Sequence, residues 1–276
     1  MLGKLFKYDF RAMSRVMRFV VLGILCLAVL LTMFAAIQPQ QNYDYYETRT
    51  ADQITRQVLT GLTVLSALGM GAGIAVIMVF IYVHYYRNLF SDEGYLTHTL
   101  PVKSWKILLS KLLSSVVWAL IGYAAILAGL LIILLGVVPE AFPYIGETID
   151  RIVEAGAVGT VLLTLFGGLV NLCCGLLQVF LAITIGCAIA NKHRIWAAIG
   201  IYAAISVVSY ILNVIVSAPS VFSWLMGSAI YYRGDSYSIV GSLNTVLILG
   251  VVKNAGIATG CFFWIKHLMK RRLNLQ

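Results

Sequence analysis

A chain of 276 residues with 61% hydrophobic and only 11% charged residues is too poor in charge for an ordinary soluble domain, where about a quarter of residues are charged. The net charge of +9 would suit nucleic acid, but the basic residues are scattered over short links between apolar runs, which argues against it. What remains is an all-α membrane protein, because transmembrane strands would show alternating segments of about ten residues and these runs are continuous.

The N-terminal stretch MLGKLFKYDFRAMSRVMR places Leu2, Phe6, Phe10, Met13 and Met17 at steps of four and three, with Lys4, Lys7, Arg11, Arg15 and Arg18 on the opposite face. This predicts an amphipathic interfacial helix over 1–16, drawn to anionic headgroups, that serves as an anchor or as a lever against a cytosolic partner. Six apolar runs long enough to span a bilayer follow, at about 17–38, 57–86, 107–138, 156–190, 195–217 and 243–265. Several exceed the length of a crossing and so tilt or extend beyond the lipid. The first is not a cleaved signal peptide, because too long a segment precedes it and no small-residue cleavage site follows.

The links between the spans differ in kind. QPQQNYDYYETRTADQ (38–53) is a polar, tyrosine-rich loop, and PEAFPYIGETIDRIVEAG (139–156) carries two prolines with Glu140, Glu147, Asp150 and Glu154. ANKHR (190–194) is a tight basic turn. APSVFSWLMGSAIYYRGDSYSIVGSL (218–243) mixes Trp224, Tyr231, Tyr232 and Tyr237 with glycines. It is too apolar for a free loop and suits the interface or a re-entrant hairpin. No internal repeat is evident, and 1–276 reads as one membrane domain. With the N-terminus in the cytosol, the inner segments hold fifteen basic residues against three acidic, and the outer segments four basic against eight acidic. That asymmetry predicts cytosolic termini.

The apolar runs lack the groups that chemistry at membrane depth needs. No Asp or Glu lies inside any of the six. Ion-coupled carriers commonly place carboxylates there, and intramembrane hydrolases need a nucleophile with its base or metal ligands. The four histidines fall at cytosolic span ends and are too far apart for a sequence-local metal motif, while the five cysteines sit in apolar runs as packing residues. We find no catalytic or metal-ligating set. Lys253, in LILGVVKNAGIATG, is the one charge within a span away from its ends. It is a candidate functional residue, unless the sixth span begins later and its side chain snorkels outward. Asn171 and Asn213 are candidates for interhelical hydrogen bonds or for a polar path. No GxxxxGK[ST] phosphate loop occurs, so the chain has no P-loop ATPase site of its own.

The segment 87–106 is the remaining link. Ser91 can cap a helix whose first turn holds Asp92 and Glu93, and Pro101 disfavours helix at Leu100. A helix of about two turns, from Asp92 to Leu100, is expected on the cytosolic side, either as a capped surface turn or as a docking element. DEGYLTHTLPVKSWKILLSKLL closely resembles the cytosolic segment of permease subunits of type 2 ABC transporters in Gram-positive bacteria, and the six-span layout with a basic N-terminal helix is similar over most of the chain. The resemblance implies a coupling helix formed by Asp92, Glu93, Gly94, Tyr95, Leu96, Thr97, His98 and Thr99, which docks on a separate ABC ATPase. It also implies a re-entrant hairpin at 218–243, a second permease copy or paralogue, and a bacterial cytoplasmic membrane as the location. ATP and magnesium would be bound by the ATPase partner, with no cofactor in this chain. Two other classes compete: a non-transporting immunity or sensor protein that binds a peptide or lipid, and an intramembrane enzyme, which the missing catalytic groups disfavour. Peptide, lipid, drug and ion are all open as substrates.

Overall fold

The computed structural model describes residues 2–37, 50–91, 103–137, 141–154, 157–190, 193–230 and 236–272. Among the described residues there are seven helices and no strand: α1 (Leu2–Ile37), α2 (Thr50–Phe90), α3 (Ser104–Val137), α4 (Ala141–Glu154), α5 (Val158–Ile189), α6 (Arg194–Ile230) and α7 (Ser236–Arg272). Six of them, all but α4, are long and apolar enough to cross a membrane. A helix satisfies its own backbone polar groups, which is what an apolar segment in lipid requires. Pro39 and Pro139 each stand two residues beyond a helix end, where proline cannot continue the helix.

The expected spans match these helices, and two details differ from a reading of spans and loops. The interfacial helix expected over 1–16 and the first span form one unbroken helix, α1. At 1.5 Å per residue its 36 residues run about 54 Å, well beyond a hydrocarbon core of about 30 Å. The segment after the third span is not a plain loop. It forms α4, on which Ile145, Ile149 and Ile152 recur at helical spacing among Glu147, Asp150, Arg151 and Glu154. The region of the expected re-entrant hairpin, 218–243, falls on the end of α6 and the start of α7, with 231–235 outside the described residues. The α6 backbone is helical through Pro219 to Ile230.

The chain divides into two compact units. One gathers Gly3–His84 and Val117–Ile149. In it the bases of the side chains meet glycines: a Cβ added at Gly73 would lie 2.5 Å from Ile24 Cγ1, and one at Gly129 would lie 2.9 Å from Met70 Cε. Met13, Met17, Ile24 and Ala28 form the buried stripe of α1, and Phe10 stacks on Trp118 with centroids 5.0 Å apart. Leu68 and Leu127 are about two-thirds exposed, at 66% and 63%. Apolar side chains bared on this scale have no stable place in water and fit lipid.

The other unit gathers Tyr85–Val116 and Asp150–Gln276, with Met1–Leu2. α5 is its centre and packs against both α6 and α7. Leu176, Leu177, Phe180, Leu181 and Thr184 of α5 are buried. α5 and α6 approach each other closely at Gly186 and Ala198. A Cβ on Gly186 would lie 2.7 Å from the backbone nitrogen of Ala198, so only glycine allows the two backbones this close. The turn that joins them begins at Ala190, which is extended (φ −103°, ψ 125°) and donates its N–H to Gly186 O at 3.0 Å.

Candidate functional site

Polar side chains recur along one face of α5 and of α6, and α7 adds three more. On α5 they are Thr160, Thr164, Asn171 and Gln178, at steps of four and seven; on α6, Ser206, Ser209 and Asn213; on α7, Asn244, Lys253 and Asn254. Steps of three, four and seven put residues on one side of a helix. Packing of α6 and α7 on α5 gathers these side chains into one seam.

Hydrogen bonds between side chains close that seam on all three sides. Lys253 Nζ donates to Asn213 Oδ1 at 2.6 Å, joining α7 to α6. Asn254 Nδ2 donates to Asn171 Oδ1 at 3.2 Å, and Thr160 Oγ1 to Asn244 Oδ1 at 2.8 Å, joining α5 to α7. Gln178 Nε2 donates to Ser209 Oγ at 2.9 Å, joining α5 to α6. Interhelical bonds of this kind contribute about 0.6 kcal/mol each on average in a membrane, and up to about 2.

Depth is consistent across the three helices. Asn171 stands eighteen residues from the α5 end at Ile189, Asn213 nineteen from the α6 start at Arg194, and Lys253 nineteen from the α7 end at Arg272. At 1.5 Å per residue each lies about 27–29 Å along its helix. Lys253 therefore reaches sideways to a partner at its own level. α7 begins at Ser236, well before it, so the lysine lies within the last helix and not at its start.

Two adjoining cavities open along the seam. One, of about 250 Å³, is lined by Gln178, Ser206, Ser209, Tyr210 and Lys253 among others. The other, of about 360 Å³, is more apolar and is lined by Gly167, Gly168, Gly250, Val246, Leu247 and Val251 among others. Asn171, Asn213 and Asn254 border both.

The structure thus brings together Lys253, Asn171 and Asn213, the three candidates within the spans. Sequence reasoning missed Asn254, Gln178, Ser209 and Asn244. Gln178 and Ser209 carried a signal, seven residues after Asn171 and four before Asn213 on the same helix faces, whereas Asn244 and Asn254 carried none. The other candidates, Asp92, Glu93, Gly94, Tyr95, Leu96, Thr97, His98 and Thr99, lie outside the described residues. The ends of the helices that bracket them are described. Near the end of α2, the Tyr85 ring stacks on Phe180 of α5 with centroids 3.9 Å apart and planes at 4°. Its hydroxyl lies 3.0 Å from Thr184 Oγ1. Leu89, Ile107, Leu108 and Lys111, on either side of the segment, are buried.

No protein-family model, curated protein or solved structure matches the chain. The fold by itself defines the class: a multi-pass, all-helical protein of the membrane.

Proposed function

We propose that the chain is the membrane-spanning permease subunit of an ATP-driven ABC exporter, which couples ATP hydrolysis by a separate ATPase subunit to export. The observation that carries this reading is the segment DEGYLTHTLPVKSWKILLSKLL between α2 and α3, with its resemblance to the coupling segment of such permeases. The six membrane-length helices and the missing phosphate loop agree with it: work done on a substrate must enter through a partner. In this reading the protein lies in the bacterial cytoplasmic membrane with both termini in the cytosol, pairs with a second permease, and leaves ATP and magnesium to the ATPase.

The packing offers a route for that work. The partner would grip residues 92–99, and a displacement there would be delivered to the facing ends of α2 and α3. Tyr85 would pass it to α5 at Phe180 and Thr184. α5 is a continuous helix that carries Gln178 and Asn171 into the polar seam.

The test is to co-express the chain with an ABC ATPase encoded beside it. ATPase recovered per permease is measured, with ATP turnover in reconstituted vesicles. Removing a well-packed interface aromatic costs about 2 kcal/mol, roughly thirty-fold in affinity. Glu93→Ala combined with Tyr95→Ala should therefore weaken recovery of the ATPase or uncouple hydrolysis from transport. Tyr43→Ala with Glu47→Ala, on the opposite side of the first two spans, should leave both intact. A Glu93/Tyr95 variant that keeps both at wild-type level rejects the coupling role and removes the main support for an exporter.

A further inference from the structure

The hydrogen bonds of the seam are spent unevenly. An ammonium has three donors and no acceptor, and Lys253 uses one donor, on Asn213 Oδ1. Because lysine can only donate, the bond also fixes the Asn213 amide with its oxygen toward Lys253 and its nitrogen free. Asn171 likewise gives its oxygen to Asn254. Among the described residues neither amide nitrogen has an acceptor of its own. Gln178 and Asn254 run the other way, donating their nitrogens and keeping their oxygens, so the donors cluster at Lys253, Asn213 and Asn171.

Its charge is also one-sided. α5, α6 and α7 contain no Asp or Glu anywhere in their sequences, so these three helices supply no counter-ion to Lys253. A lone cation at membrane depth is costly without an anion or water to receive it. The same three helices of a second copy, met across a two-fold axis, would bring another lysine and no carboxylate, which makes the charge problem worse.

The neighbouring cavity has a different character. Gly168 and Gly250 leave it wide, and Val246, Leu247 and Val251 make it apolar. A Cβ added at Gly168 or Gly250 meets nothing within 4 Å, so both glycines border open space. A small anion would fill the polar part and leave this part empty. A neutral lipid would fill it and leave Lys253 without a charge partner.

We propose that the cleft between α5, α6 and α7 binds an anionic amphiphile, with its phosphate or carboxylate head on Lys253, Asn171 and Asn213 and its tail along Gly167, Gly168 and Val251. The site belongs to the chain alone and stands whether or not the exporter reading holds. If that reading holds, the amphiphile is a candidate cargo.

The experiment uses the purified full-length chain in neutral detergent, without ATPase. Retained lipid is counted by native mass spectrometry after titration with phosphatidylglycerol or with phosphatidylcholine of the same acyl chains. The wild type should retain phosphatidylglycerol at about tenfold lower concentration. Lys253→Gln keeps a polar side chain without the charge and should abolish the preference; Lys253→Arg should keep it. Gly168→Leu fills the tail cavity and should weaken retention of phosphatidylglycerol in a protein that still elutes as a single species. Inorganic phosphate at the lipid's concentration should not displace it. A wild type without preference, or a preference that survives Lys253→Gln and so belongs to the basic face of α1, overturns the proposal. Displacement by phosphate alone overturns the amphiphile assignment. If Lys253→Gln fails to fold, Gly168→Leu decides: full retention of phosphatidylglycerol by that variant also overturns it.

Discussion

Tyr85 holds the end of α2 in two distinct ways. Its ring lies flat on Phe180, and its hydroxyl meets Thr184, whose own proton already goes to Phe180 O at 2.7 Å. The Thr184 proton being used, Tyr85 must be the donor of the 3.0 Å bond. Tyr85→Phe should therefore lose one hydrogen bond, about 1 kcal/mol, and keep the stack. Tyr85→Ala should leave a cavity and cost about 3–5 kcal/mol. Thermal unfolding of both variants in one detergent checks this, and a Phe variant as unstable as the Ala variant would show that the ring contact contributes little. None of this is legible in the sequence, since Tyr85 and Thr184 are 99 positions apart and each is an ordinary residue of its own helix. Lys253 is the opposite case. A single charge in an apolar run stands out by itself, and its partner Asn213 is one of the few amides within reach of the same depth.

Single elements were easier to read than their contacts. Unbroken apolar runs give the six long helices, because a backbone in lipid has few alternatives to helix. α4 escaped notice because the two prolines and four acids of the segment 139–156 look like loop composition, although the isoleucines keep helical spacing. The polar face of α5 escaped for another reason: Thr160, Thr164 and Gln178 are each unremarkable inside a helix, and only their shared side makes a seam. The pairing of α5 with α6 depends on Gly186, and no sequence feature distinguishes that glycine from Gly175 eleven residues earlier. The structure does, since an added Cβ meets the Ala198 backbone at the first and nothing within 4 Å at the second. Gly186→Ala should force the helices apart and lower stability by about 1–3 kcal/mol. Gly175→Ala should be neutral or gain up to about 1 kcal/mol from helix propensity. Melting temperatures measured side by side test the pair, and equal shifts would contradict the close approach.

At the scale of the whole molecule, composition was enough to establish a helical membrane protein, but the division into two units crosses α2 and α3 partway along and leaves no mark in the sequence. The hydrogen bond between Lys253 and Asn213 has a consequence for how the chain is made. α7 carries the least apolar of the six candidate spans, and a lysine at the centre of a membrane helix opposes insertion by about 3 kcal/mol. As α7 leaves the ribosome, Asn213 offers its ammonium an acceptor only if α6 is already threaded, and Asn171 offers one to Asn254 only if α5 is. α7 fused alone to a glycosylation reporter should therefore insert in a minority of chains. Lys253→Leu, or placing α5 and α6 ahead of it, should make insertion the majority outcome; efficient insertion of the lone wild-type segment would refute this order. The bond then acts as a checkpoint in biogenesis: the last helix completes its passage only in a chain whose two preceding helices are in place to receive it.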